Sequence, residues 1–313
     1  MMKRNLEQFI PYGLFLLLIG VGALTQYFGA PASSPALALS ALVDLTPSPL
    51  PTTAMTIPDE VTAESVLIGN LTTGEVYVSR APERLAPIAS LTKLFLVEAA
   101  LATLNAESLV TISEAAVAEE GDQGTLLVGE QFRLLDLARL TLTSSSNDGA
   151  AAIGEALREA WNTAHPISPV LGAEHILNAR IAEMHLDHTF FQNITGLDTG
   201  EAASNYSSAR DLFAFARATY ATPVVWELAR DPIAVIISAN GEAHEVVHTN
   251  PLLASLTNVI GSKTGTTDQA KESLVILMES PVGRPIAIII LGSQFSQRIE
   301  DAEILLRANQ LAY

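Results

Sequence analysis

The 313-residue chain is acidic, with 34 Asp and Glu against 17 Lys and Arg, and 49% of its residues are hydrophobic. A net charge of −17 repels a phosphate backbone, and no Lys/Arg-rich stripe interrupts it, which argues against nucleic acid as a partner. The absence of cysteine removes disulfide frameworks, thiolate metal sites and cysteine nucleophiles.

Lys3 and Arg4 precede an apolar stretch of 22 residues from Phe9 to Ala30. Positive charge ahead of such a run keeps the N-terminus inside and sends the rest across the membrane. Counted whole, the run is long enough for an uncleaved spanning anchor, with Gln26-Tyr27-Phe28 as an interfacial belt. Counted from Leu14 to Gly22, it is a signal-peptide core with Val21-Gly22-Ala23 as the cleavage site. Either way the body is expected outside the cytoplasmic membrane: held there by residues 1–30 as an anchor, or secreted if they are cleaved. Residues 31–60 carry Pro31, Pro35, Pro47, Pro49, Pro51 and Pro58 among Ser, Thr and Ala, the composition of an extended spacer. The globular body is assigned to 61–313.

That body opens on a hairpin pattern, with strands at Ser65–Gly69 and Val76–Val78 around an Asn70–Gly74 turn. Apolar residues then recur at helical spacing over Leu91–Leu104, Leu134–Leu142, Gly149–Trp161, Ile176–Met184 and Ala209–Tyr220. Strands return at Ile233–Ser238 and Glu245–His248, where Asn240-Gly241 favours a tight hairpin. Ser273–Met278 and Pro285–Leu291 follow, joined through Gly283, and a helix over Gln297–Leu311 closes the chain. Strands at both ends of a helical middle predict an α+β domain: one antiparallel sheet built from N- and C-terminal strands, flanked by helices.

Three short motifs carry chemistry. Ser90-Leu91-Thr92-Lys93 starts the Leu91–Leu104 helix. Read alone, Ser90 is a helix N-cap. Residues i and i+3, however, share a helix face with Cβ atoms roughly 5–6 Å apart. Lys93 can therefore reach the Ser90 hydroxyl, and a buried lysine loses basicity enough to act as its base. Ser145-Ser146-Asn147 lies between two helices and reads alone as a polar turn with Asn147 or Asp148 as the cap. Lys263-Thr264-Gly265-Thr266 reads alone as a strand edge with a glycine, where a second backbone can approach closely.

In this order the three resemble the Ser-x-x-Lys, Ser-x-Asn and Lys-Thr-Gly trio of penicillin-recognising serine enzymes. Within them, the chain is similar to the low-molecular-mass D-alanyl-D-alanine carboxypeptidases of the S11 peptidase family. Phe191-Gln192-Asn193-Ile194-Thr195-Gly196-Leu197 follows their Phe-x-Asn-x-x-Gly-Leu stretch, and Tyr206–Asp211 their Tyr-Ser-Thr-Ala-Arg-Asp segment. His248-Thr249-Asn250-Pro251-Leu252-Leu253 follows their Asn-Thr-Asn-x-Leu-Leu, with His248 in place of the first Asn.

The resemblance implies a transpeptidase-type fold and a peptidoglycan stem peptide ending in D-Ala-D-Ala as substrate. It also implies β-lactam antibiotics as covalent inhibitors, and no metal or organic cofactor. By the same resemblance Ser90 is the nucleophile and Lys93 its base. Ser145, Asn147 and Lys263 pass a proton to the departing D-alanine, and Asn147 holds the substrate amide. Thr264, Gly265 and Thr266 line the substrate, with the Ser90 and Thr266 N–H groups forming the oxyanion hole. A D,D-endopeptidase or β-lactamase on this fold, or a non-catalytic wall scaffold, are the alternatives.

The chain departs from the family pattern in three places. No C-terminal β-rich domain follows, so the N-terminal segment is expected to replace that tether. Ala270-Lys271-Glu272 stands where the family has Ala-Gly. The family's substrate-carboxylate arginine is assigned to Arg284, one residue out of step. Elsewhere, His185-Leu186-Asp187-His188 lacks a metal-binding helical pattern, Glu201–Asn205 reads as a loop, and Trp161 and Trp226 as packing.

Overall fold

The computed structural model describes residues 54–121, 125–280 and 283–311. The expected anchor and the linker up to residue 53 lie outside them. The described end of the linker rests on the body: Thr56 and Asn309 exchange two hydrogen bonds, and Met55 and Ile57 pack beneath the last helix.

The first hairpin comprises β1 (Ser65–Asn70) and β2 (Val76–Arg80), followed by the two-residue β3 (Ala86–Pro87). A 3-10 turn, Ala89–Leu91, leads into α1 (Thr92–Thr103), then β4 (Leu109–Thr111), α2 (Glu114–Val117) and β5 (Gln131–Arg133). The helical middle continues with α3 (Leu134–Ser144), α4 (Asn147–Ala164) and α5 (Glu174–Glu183). After β6 (Tyr206–Ser207) come α6 (Ala209–Tyr220), α7 (Val224–Glu227), β7 (Ile233–Ile237) and β8 (Ala243–Val247). The chain ends with β9 (Val259–Thr267), β10 (Lys271–Glu279), β11 (Pro285–Ser293) and α8 (Arg298–Ala308).

The main sheet is five-stranded and antiparallel, in the order β2-β1-β11-β10-β9. Its central strands are apolar without alternation because both faces are covered. Leu67, Val275, Leu277, Ala287, Ile289 and Leu291 face the helical middle. Val66, Ile68, Leu274, Ile276, Ile286 and Ile288 face α8. The N- and C-terminal strands thus form one sheet, as the sequence pattern predicts. The Asn240-Gly241 hairpin also forms, but β7 and β8 pair only with each other and lie against α3. On β7, Ala234 and Ile236 are buried while Ile233, Val235 and Ile237 are exposed.

β9 is one of the two edge strands, and it lies beside the Ala89–Leu91 turn at the head of α1. At the β9–β10 corner, Lys271 has φ +54, a left-handed conformation that glycine adopts freely. Lys271 thus adopts, at the position where the resembling sequences have glycine, a conformation that glycine would adopt freely. Its ammonium donates to Glu64 Oε1 at 2.6 Å, both groups being over a third exposed. Relief of left-handed strain by Lys271→Gly, about 1 kcal/mol, offsets loss of a surface pair worth about 0–1 kcal/mol. Thermal unfolding of Lys271→Gly should shift the midpoint by less than about 4 °C.

Candidate active site

Ser90 sits in the 3-10 turn before α1 and caps nothing: neither the turn nor α1 has a side-chain cap. Its hydroxyl instead accepts from Lys93 Nζ at 2.8 Å. The turn is strained, with Ala89 at φ +47, and it is gripped from two sides by glycines. A Cβ on Gly265 would lie 2.5 Å from Ile88 O, and one on Gly196 would lie 2.0 Å from Ala89 O. Gly265, expected to admit a substrate backbone, thus also lets β9 lie against the Ser90 turn.

Lys93 is fully buried. Besides Ser90 Oγ, its Nζ donates to Asn147 Oδ1 (2.7 Å) and Thr195 O (2.7 Å). Burial lowers its pKa to about 7, against a smaller opposing pull from Glu119. Two of the three partners are carbonyl oxygens that can only accept. Once Lys93 is neutral, its two N–H bonds serve those carbonyls and its lone pair points at the Ser90 hydroxyl. That is the geometry of a base poised on a nucleophile.

Ser145 ends α3 in the left-handed conformation (φ 63, ψ 31), and Ser146 caps α4 by accepting from Gly149 N. The cap is therefore Ser146 and not Asn147 or Asp148, which lie inside α4, and Ser145 is left to accept from Lys263 Nζ at 2.8 Å. Lys263 is fully buried on β9 and also donates to Thr264 O at 2.9 Å. Burial first, then the neighbouring Lys93 and Arg298 charges, hold its pKa well below the ordinary lysine value. Asn147, expected to hold a substrate amide, is fully committed within the protein. Both its N–H bonds donate to backbone, to Glu120 O (2.8 Å) and Gly121 O (2.9 Å), while its carbonyl faces Lys93. It positions the lysine and fastens the 118–121 segment.

The Thr264 and Thr249 hydroxyls lie 2.5 Å apart, and Thr249 N donates to Thr143 O (3.2 Å) near the end of α3. His248, which replaces the family's asparagine, accepts from Asn250 N at 2.9 Å through Nδ1. Its proton is thus on Nε2, which donates to Ser262 O at 3.1 Å. Burial, with the nearby Lys263 charge, lowers its pKa to about 4, so the ring stays neutral beside the lysine.

Arg284 is not part of this group. It is exposed at the β10–β11 turn, where Ser280 N donates to its carbonyl. Lys263 pairs with Val275 and, through it, aligns with Ile289 of β11. Arg284 lies five residues before that point, on the order of 17 Å along the strand. The arginine at the site is Arg298, the first residue of α8. Its Nη1 donates to Gly265 O (2.9 Å) and Thr266 Oγ1 (2.8 Å), and its side chain is only 12% exposed. Burial lowers its pKa, with Glu272 opposing. Sequence reasoning missed it by searching before Gly292 instead of after it.

Three basic side chains line the site, Lys93 on Ser90, Lys263 on Ser145, and Arg298 on Thr266 with Glu272 3.9 Å away, and a further anion would stabilise their charged forms. A substrate carboxylate beside Thr266 and Arg298 would supply it. Removing one partner of a buried charge pair costs about 2–5 kcal/mol. Arg298→Gln should therefore lower kcat/KM for a peptide with a free C-terminal carboxylate by roughly 30-fold or more. The same peptide as its C-terminal amide should lose little further, and comparing the two substrates checks it.

Among the described residues no group of three or more His, Asp or Glu is placed to hold a metal. His185, Asp187, His188 and Glu201 are exposed. Trp226 is buried and donates to Thr219 Oγ1 at 2.8 Å.

Residues 52–294 match the peptidase S11 family, described as D-alanyl-D-alanine carboxypeptidase. The chain is 29% identical over 229 residues to a D-alanyl-D-alanine carboxypeptidase of Mycobacterium tuberculosis, covering 72% of this chain and 73% of that protein. It is 27% identical over 262 residues to a D-alanyl-D-alanine endopeptidase of Pseudomonas aeruginosa, covering 82% and 80%. The crystal structure of a D-alanyl-D-alanine carboxypeptidase from M. tuberculosis H37Rv superposes with a TM-score of 0.70 at 25% identity, over 84% of this chain and 96% of that one.

Proposed function

Because the chain belongs to the S11 family of D-alanyl-D-alanine carboxypeptidases, we propose that it acts through a Ser90 acyl-enzyme on peptidoglycan stem peptides. It is a serine-type D-alanyl-D-alanine carboxypeptidase, a cell-wall hydrolase that removes the terminal D-alanine. The observation that carries the residue assignment is the 2.8 Å contact between a buried, weakly basic Lys93 and Ser90 Oγ.

Lys93 takes the hydroxyl proton as Ser90 Oγ bonds to the carbonyl carbon of the penultimate D-alanine. The Ser90 and Thr266 N–H groups receive the developing oxyanion, an interaction worth about 3 kcal/mol of barrier in comparable sites. The proton held by Lys93 is then relayed through the Ser145 hydroxyl, which lies on Lys263, to the amide nitrogen as the C–N bond breaks and D-alanine leaves, so that Lys93 is neutral again. Water then attacks the ester, returning its proton to Ser90 and releasing the shortened stem peptide. Thr264, Gly265 and Thr266 align the substrate along β9, with Arg298 on its carboxylate. β-Lactams acylate the same serine and stay bound.

The test is to incubate the full chain with a peptide ending in D-Ala-D-Ala and assay free D-alanine. Mass spectrometry of the penicillin adduct should place the label on Ser90. No D-alanine release together with no adduct on Ser90 would refute the assignment. The endopeptidase relative favours a second reading, cleavage of D-alanyl cross-links, which the same assay on a cross-linked dimer decides.

We further propose that residues 1–30 tether the enzyme to the outer face of the cytoplasmic membrane. Among the described residues no helix is long and apolar enough to cross a membrane, and residues 1–30 lie outside them. Release of the protein from membranes by alkaline carbonate would refute an uncleaved anchor.

A further inference from the structure

Asn205 belongs to a segment that reads as plain loop, yet it is only 2% exposed, and its side-chain amide joins two parts of the site distant in sequence. Toward α1, Nδ2 donates to Thr92 Oγ1 at 2.9 Å. The Thr92 hydroxyl in turn donates to Ala89 O at 2.7 Å, the carbonyl of the strained residue immediately before Ser90. The Asn205 backbone carbonyl accepts from Ile88 N at 3.1 Å, so one residue fastens the Ser90 turn on both sides.

The other arm runs to the segment that supplies Lys93 with its second carbonyl. Asn205 Oδ1 accepts from Gln192 N (2.9 Å) and Asn193 N (3.2 Å), and Nδ2 also donates to Asn193 O (2.9 Å). Asn193 carries the restraint onward. Its Oδ1 accepts from Gly196 N at 2.8 Å and its Nδ2 donates to Leu197 O at 2.9 Å. Thr195, whose carbonyl accepts from Lys93, lies inside that loop, between Asn193 and Gly196.

We infer that Asn205 is a positioning residue for acylation: it locks the Ser90 turn and the Thr195 carbonyl in one frame, and so fixes where the Lys93 lone pair points. This rests on Ser90 being the nucleophile and Lys93 its base. The physical reason is that the lysine has three hydrogen-bonding neighbours and only one of them must receive its lone pair. If the Thr195 carbonyl drifts, the neutral amine is free to turn its lone pair away from Ser90. A displacement of about 1 Å at reacting groups costs on the order of a hundredfold in rate. Water admitted around Lys93 would also relieve the burial that lowers its basicity.

The test uses the full chain and a fluorescent penicillin, reading the second-order rate of Ser90 acylation across pH together with thermal unfolding. Asn205→Ala should fold, acylate about 10- to 100-fold more slowly, and show its acidic limb at higher pH than wild type. Thr92→Val removes the α1 arm alone and should slow acylation less, while Thr92→Ser, which keeps the hydroxyl, should restore the rate. A purely structural role would lower the unfolding midpoint but leave the rate per folded molecule and the limb where they are, and that result overturns the inference. If Asn205→Ala does not fold, Thr92→Val decides: a wild-type rate overturns the inference, and a reduced rate rescued by Thr92→Ser supports it. A wild-type protein that takes no label on Ser90 overturns both this inference and the acylation mechanism beneath it, whereas labelled wild type with a fast Asn205→Ala overturns this one alone.

Discussion

Replacing Lys93 by Met should slow penicillin acylation of Ser90 by about 10³- to 10⁴-fold while leaving the fold intact. Met matches the length of the lysine stem and suits the apolar part of its burial. It removes the lone pair that, in the proposed mechanism, takes the serine proton, and general-base catalysis contributes about 10²- to 10⁴-fold. The upper part of that range applies because, among the described residues, Lys93 is the hydrogen-bond partner of Ser90 Oγ. Ser145 lies on Lys263, and Asn147 is committed to the 118–121 backbone. The wild-type pH profile follows from the same geometry. Only the neutral amine can accept the proton, and its pKa is lowered to about 7 chiefly by burial. The acylation rate should therefore fall roughly tenfold per pH unit below about 7 and level off above it. In Lys93→Met that limb should vanish from the residual rate. Stopped-flow acylation from pH 5.5 to 9 measures both quantities, and a Met variant that kept the limb would assign it to another group.

The two buried lysines are held for different work. Lys93 is surrounded by acceptors that leave one orbital directed at Ser90. Lys263 shares its space with Ser145, the Thr264 carbonyl and two further cationic side chains. Burial and those neighbouring charges weaken its hold on a proton, so a substrate carboxylate would stabilise its protonated form. A lysine whose protonated form is held by the substrate carboxylate, with Ser145 on its ammonium, is suited to supporting proton transfer to a leaving amine. The neutral His248 next to it keeps a fourth cation out of the cluster.

Local features of the fold and site are legible in the sequence, and relations between distant segments are much less so. Ser90 and Lys93 are legible because their contact is one helical turn. The main-sheet strands are legible as apolar runs, although burial on both faces blurs their ends. β10 begins at Lys271 and β11 ends at Ser293, beyond the apolar cores at 273–278 and 285–291. The Asn240-Gly241 turn specifies a hairpin but says nothing about which sheet it joins, and β7–β8 stands apart. The two-residue strands β3 and β6 carry no periodicity at all. Within the site, Asn147, Asn193 and Asn205 find mainly backbone partners, and backbone acceptors leave no trace in residue type. Arg298 was missed because a strand was expected to carry the carboxylate ligand, when the β9 edge and the head of α8 meet there.

Gly196→Ala should lower Ser90 acylation by on the order of a hundredfold and destabilise the protein, although the side chain added is a single methyl group. The position has φ +87, so any L-residue pays a conformational cost of about 1–2 kcal/mol. The methyl would then lie 2.0 Å from Ala89 O and 2.3 Å from Ala89 C, backbone atoms that no rotamer change can move aside. Either the Ser90 turn or the 193–197 segment must shift. The first moves the nucleophile, and the second moves the Thr195 carbonyl off Lys93. Both routes displace the reacting pair by about the ångström at which rates fall a hundredfold. Gly200→Ala is the control: it has φ +63 and nothing within 4 Å of the added carbon, so it carries the same backbone cost without the collision. Comparable loss of unfolding temperature in the two variants, with slow acylation only in Gly196→Ala, would separate close packing against the nucleophile from left-handed strain. Equal acylation rates would show that contact between the 193–197 segment and the Ser90 turn is not what holds the serine in place.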